Sequence, residues 1–154
     1  MLLPDAAPWQ RWGSSGWRVL AAHLQAQEVA VVTASPDEPA LDTVTVDPQP
    51  RLGGWRLIVG VNNATTWAAV AAGVPTVVLL GPDASPLADD PAGAGVRRVG
   101  DAWLVQSRAY CVPCGQRGCS DAPDSPALCL DWLAARTVLR AVDAALALPK
   151  PVSA

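Results

Sequence analysis

The chain reads as an α/β domain, a doubly wound and mostly parallel sheet with flanking helices. Three observations predict this. The strand-like segments at 28–33, 56–61 and 76–80 are almost uniformly apolar rather than alternating, as strands buried on both faces are. Helical or turn segments separate them, which is the rhythm of a parallel sheet. Strong punctuation closes them: Ser35-Pro-Asp-Glu-Pro39, Asp47-Pro-Gln-Pro50 and Gly81-Pro82. The expected sheet has four or five strands.

At 154 residues the length suits one domain, assigned to 1–149, with a frayed tail at 150–154. Residues 1–4 form a short first strand, and a loop follows to residue 15. Ser14 or Ser15 is placed to cap a helix over 17–26, where Trp17, Leu20, Ala21 and Leu24 share one face. A buried strand over 28–33 comes next. Strand character returns at 43–46, and clearly at 56–61. Asn62-Asn-Ala-Thr-Thr66 then turns into a short helix over 67–72, which Gly73 ends. A strand over 76–80 and a loop over 83–95 precede a further strand at 103–106. A single long helix over 128–148 carries Leu130, Leu133, Val138, Val142 and Leu146 toward the sheet.

Composition narrows the function classes. A net charge of −3 gives generic nucleic-acid binding no electrostatic support. No apolar run approaches the ~20 residues of a membrane span, because Gly73 and Pro75 interrupt the longest candidate. No export signal opens the chain, so the expected location is the cytoplasm. Seven tryptophans and no phenylalanine make tryptophan the bulky core residue. The lone His23 reads as core or surface filler.

All four cysteines, Cys111, Cys114, Cys119 and Cys129, lie within one stretch, assigned to a Cys-rich loop at 107–130. In a Cys-x2-Cys-Gly turn the glycine takes positive φ without penalty and turns backbone N–H groups toward sulfur. The spacing fits one tetrahedral four-sulfur site for zinc or iron. Two disulfides, or a redox pair beside two structural thiols, remain alternatives.

Ligand sites in open parallel sheets lie beyond the carboxyl ends of the strands. Three loops meet that description. The loop at 5–15 carries Arg11, and the turn at 35–39 carries Glu38. The third, Asn62, Asn63, Ala64, Thr65 and Thr66, opens a helix whose N-terminus favours anions. Together they suit a diphosphate and a ribose diol. Each also has a plain reading: Arg11 as a solvated charge, Glu38 as a turn residue, and Asn62, Thr65 and Thr66 as helix caps.

Residues 59–82, Val-Gly-Val-Asn-Asn-Ala-Thr-Thr-Trp followed by an alanine-rich helix, Gly-Val-Pro, an apolar strand and Gly-Pro, resemble a family signature. It is that of the heptosyltransferase-like glycosyltransferases, family nine, of GT-B fold. Arg11-Trp12, Ser35-Pro-Asp-Glu38 and the Cys-x-Pro-Cys block resemble further stretches of that family. The resemblance implies the C-terminal, Rossmann-like half of a GT-B enzyme, binding a sugar nucleotide such as ADP-heptose. By position, Asn62 and Asn63 replace the family's Asp-Thr/Ser pair, Ala64 its glycine and Trp67 its histidine, which is a degenerate donor motif. Arg11 would contact phosphate and Glu38 the ribose. The family's acceptor site and catalytic base belong to an N-terminal domain, so a partner chain or homo-oligomer is implied for hexosyl or heptosyl transfer. The competing expectation is an inactive, metal-stabilised interaction module derived from such an enzyme.

Overall fold

The fold is that of a computed structural model, and the described residues are 1–4, 7, 10–35, 44–47, 51–83, 95–119 and 125–148. The elements in chain order are β1 Leu2–Leu3, α1 Ser14–Ala26, β2 Val32–Thr33, β3 Thr45–Val46, β4 Ile58–Val61, α2 Ala64–Ala71 and β5 Thr76–Leu80. They continue with β6 Gly95–Val99, β7 Ala102–Gln106, α3 Leu128–Asp131 and α4 Ala135–Leu146. The strands make one sheet in the order β3-β2-β1-β4-β5-β7-β6. All pairs are parallel except β6 with β7, where Gly95 faces Gln106 and Val99 faces Ala102. The α/β, doubly wound expectation holds. The sheet exceeds it in size, with seven strands among the described residues.

The period-two geometry of a strand sends successive side chains to opposite faces, and both faces of β1, β4, β5 and β7 are buried. One face carries Leu2, Val59, Val77, Leu79, Trp103 and Val105 against Trp17, Leu20 and Leu24 of α1 and Val138 and Val142 of α4. The other carries Leu3 and Ile58 against Ala69 of α2, and Val78, Leu80 and Leu104 against Trp67 and Val70. Each fully buried aliphatic side chain contributes on the order of 1.5–3 kcal/mol. The two-sided burial therefore explains why these strands lack alternation.

Several boundaries differ from the sequence reading. Strand character over 28–33 shrinks to β2 because α1 ends in a Schellman motif. The Glu28 N–H donates to Gln25 O and the Val29 N–H to Leu24 O, with Glu28 at φ 57°. Residues 28 and 29 thus finish the helix. Neither serine caps α1. Gly13 is its N-cap, its carbonyl accepting from Gly16 and Trp17, and the serines lie inside the first turn. The long C-terminal helix is broken between α3 and α4, where the Trp12 indole N–H donates to the carbonyl of Leu133 at 2.9 Å. β6, an edge strand with Arg97 and Arg98, lies where no strand was expected. Trp12, Trp17 and Trp103 are core residues as expected, but Trp132 is 64% exposed. Thr43 and the tail at 150–154 lie outside the described residues. No helix among the described residues is long and apolar enough to cross a membrane.

Candidate functional site

The strand order runs outward from β1 in one direction through β2 and β3, and from β4 in the other through β5. This reversal, between β1 and β4, is the topological switch point where crevices open in doubly wound sheets. The residues that leave those two strands meet there. Gln10, in the loop after β1, donates from Nε2 to the backbone carbonyl of Asn62 at 2.9 Å and to Asp83 Oδ2 at 3.2 Å. Asn62, first residue after β4 and 9% exposed, receives the Trp67 indole N–H on Oδ1 at 2.6 Å. Its Nδ2 approaches the Asp83 carbonyl at 3.5 Å. Three loops, after β1, β4 and β5, are thereby joined into one polar network.

Asn63 caps α2. Its side-chain oxygen accepts the Thr66 N–H at 2.9 Å, so the helix starts at Ala64, three residues before the position read from sequence. The backbone N–H groups of Ala64 and Thr65, both exposed, have no partner among the described residues. They are the donors that a helix N-terminus offers to an anion. Thr66 is fully buried and turns inward over Gly60, where its hydroxyl has no partner among the described residues. It belongs to the floor and not to the crevice.

Arg11 is exposed beside Gln10. Its loop is held by Trp12, which is buried edge-on against Trp17 with ring centroids 5.1 Å apart. Glu38 lies outside the described residues. Gln10 and Asp83 were missed by sequence reading. Asp83 follows Gly81-Pro82 at the carboxyl end of a parallel strand, which was the available signal. Gln10 had none, because its partners are 52 and 73 positions away.

The cysteine loop hangs from the same end of β5, with the Gly115 N–H donating to Pro82 O at 2.9 Å. Gly115 and Gly118 both take positive φ, at 67° and 96°. All four cysteines are free; Cys111, Cys114 and Cys119 are exposed and Cys129 is buried. The Leu128 N–H donates to the sulfur of Cys119 at 3.2 Å. Burial, then the neighbouring Cys119, with smaller contributions from Cys114 and Cys111, pushes the Cys129 thiol up to about 11. The loop offers four thiols and one N–H···S bond. The Gly115 and Gly118 N–H groups, however, donate to the carbonyls of Pro82 and Gln116 and not to sulfur, contrary to the expectation for a Cys-x2-Cys-Gly turn. The sulfurs are not drawn into a cage: among the described residues no three His, Cys, Asp or Glu side chains stand close enough to hold an ion.

His23 makes a surface link between helices, its Nε2 lying 2.7 Å from Asp143 Oδ1. Burial raises the Asp143 carboxyl, but hydrogen bonds from His23 and Gln27 and the histidine's charge outweigh it and hold the group below its ordinary value. Lying on α1 and α4, this pair is separate from the crevice.

No protein-family model matches the chain, and no curated protein matches it. Among solved structures, it is similar to the ADP-heptose LPS heptosyltransferase II of E. coli, with 18% identity and a TM-score of 0.65. The match covers 94% of this chain and 45% of that one, so the chain spans less than half the length of the solved relative. The likeness shows the fold alone, a Rossmann-like α/β unit.

Proposed function

We propose that the crevice between β1 and β4 binds a nucleotide-sugar of the ADP-heptose type, as the donor half of a glycosyltransferase. The observation that carries this reading is the α2 N-terminus at the switch point. There the Ala64 and Thr65 N–H groups are open, and the loop that carries the exposed Arg11 is tied to the same strand end through Gln10. A diphosphate accepts hydrogen bonds from such N–H groups and is favoured by the positive end of the helix. Asn62 departs from an acidic residue, and its amide neither repels phosphate nor supplies a base. The role assigned to it is therefore positioning, through Trp67, Gln10 and Asp83. Glu38 retains its proposed role at the ribose. Transfer needs an acceptor and a base held in register with the donor, so the reading includes a second unit, a further domain, a partner chain or a second copy, that supplies them.

In the same proposal the Cys-rich loop is a structural staple. Cys111, Cys114, Cys119 and Cys129 would close around one zinc or iron ion, supplying a fixed loop and no open coordination position for chemistry. Gly115 N–H on Pro82 O supports the idea, because it ties the loop to the strand end that leads to Asp83. A second reading keeps the fold and the staple but assigns protein interaction in place of donor binding. The unusual Asn62–Trp67 pair favours it, since an indole fills a position from which a smaller ring would reach phosphate.

Titration with ADP-, GDP- and UDP-sugars separates the two readings. Donor binding predicts saturation that weakens on Arg11→Ala; the interaction reading predicts no saturation with any of them at millimolar ligand.

A further inference from the structure

A cavity opens at the carboxyl end of β7, against the turn from α3 into α4, with a volume of about 570 Å³. It lies two strands from β4, roughly 10 Å across the sheet at the usual strand spacing. Ser107 and Arg108 leave β7 into it, and Arg136, Thr137 and Arg140 reach it from α4. The register along α4 explains the convergence: residues one turn apart, Arg136 and Arg140, share a face.

Three of the chain's eleven basic residues therefore line one cavity in a protein whose net charge is −3. No carboxylate lines it among the described residues. The three guanidinium groups make no ion pair or hydrogen bond among the described residues. Uncompensated like charges repel one another, and an anion between them removes the repulsion. Arginine also offers planar, paired donors that match phosphate oxygens. Trp132, 64% exposed, forms part of the same wall. A large indole left in water beside cations is a flat apolar platform for a ring.

We infer that this cavity docks a phosphorylated carbohydrate, Arg108, Arg136 and Arg140 taking the phosphate and Trp132 the face of the sugar ring. The site is independent of the nucleotide-sugar reading: it uses other residues, and it stands whether or not the β1–β4 crevice binds a donor. A nucleic-acid ligand is disfavoured by the overall negative charge.

The test is NMR of the full chain with the Trp132 indole N–H assigned, using glucose 1-phosphate, inorganic phosphate and glucose as separate probes. Glucose 1-phosphate is expected to shift that resonance saturably and more tightly than either other probe. The double variant Arg136→Ala/Arg140→Ala, altered at two exposed positions, is expected to weaken it at least about tenfold, as loss of charge-assisted bonds does. Trp132→Ala, followed through the Arg108 amide, should reduce the advantage over inorganic phosphate. No saturable shift at tens of millimolar would overturn the inference. So would a shift unchanged in the double variant, or inorganic phosphate binding as tightly as the sugar phosphate.

Discussion

The indole N–H of Trp67 donates to the side-chain oxygen of Asn62 at 2.6 Å, across one turn at the start of α2. The bond fixes the orientation of the Asn62 amide, because the oxygen is used and the nitrogen is left to face Asp83. It also places a large ring over the β5–β7 face, where Trp67 packs against Val78, Leu80 and Leu104. One side chain thus serves both the core and the crevice.

Trp67→Phe keeps most of the ring and removes the donor. Asn62 Oδ1 then loses its partner at a site only 9% exposed, a loss worth about 1–3 kcal/mol. Urea denaturation should show that decrease. A change below about 0.5 kcal/mol, the scatter of neutral surface substitutions, would mean the bond does not organise the site.

Gly60 of β4 leaves space for Thr66, and a methyl group there would collide with the threonine side chain and approach Leu3 Cβ to 3.1 Å. Gly60→Ala should cost about 1–3 kcal/mol through overpacking. Adding Thr66→Ala should restore most of the loss, since the Thr66 hydroxyl has no partner among the described residues to forfeit. Additive losses in the double variant would refute the contact as the cause.

Glu28 holds a left-handed backbone, φ 57°, at an exposed helix terminus. Glycine adopts that conformation without the ~1 kcal/mol penalty of a Cβ. Glu28→Gly should therefore raise the thermal midpoint, stabilising by about 0.5–1 kcal/mol. A lower midpoint would show that the carboxylate makes a compensating interaction.

Alkylation of metal-free protein at pH 8 should modify Cys111, Cys114 and Cys119 before Cys129. The first three are exposed, while Cys129 is buried and its thiol is pushed up to about 11. Only the thiolate attacks, so a pKa that high leaves about one part in a thousand reactive at pH 8. The rate at Cys129 should climb as pH rises toward 11. With zinc loaded, all four should be protected together. Mass spectrometry of the labelled peptides reads both outcomes, and equal labelling of Cys129 would contradict the burial. Unprotected cysteines in the presence of at least one equivalent of zinc would end the staple proposal.

Much of this fold was legible because burial leaves a local mark. β5 was read at its observed bounds, since Thr76 and four apolar residues sit between Pro75 and Gly81-Pro82. The loop that opens α2 was legible as a helix start, but its cap, Asn63, was not singled out and the helix begins three residues earlier than read. What escaped was tertiary. The break between α3 and α4 depends on a bond from Trp12 to Leu133, 121 positions apart, and no helix breaker marks it. The end of α1 uses glutamate where glycine would have announced the turn. β6 carries two arginines because an edge strand tolerates charge. Gln10 and Asp83 reach Asn62 only after the sheet brings three loops together.

The most direct test of the account follows the backbone amides of Ala64 and Thr65 by NMR during titration with ADP-heptose. Donor binding at the switch point predicts saturable shifts of both amides with a Kd on the order of 1 mM or tighter, weakened by Arg11→Ala. Unmoved Ala64 and Thr65 amides at saturating millimolar ligand would contradict it.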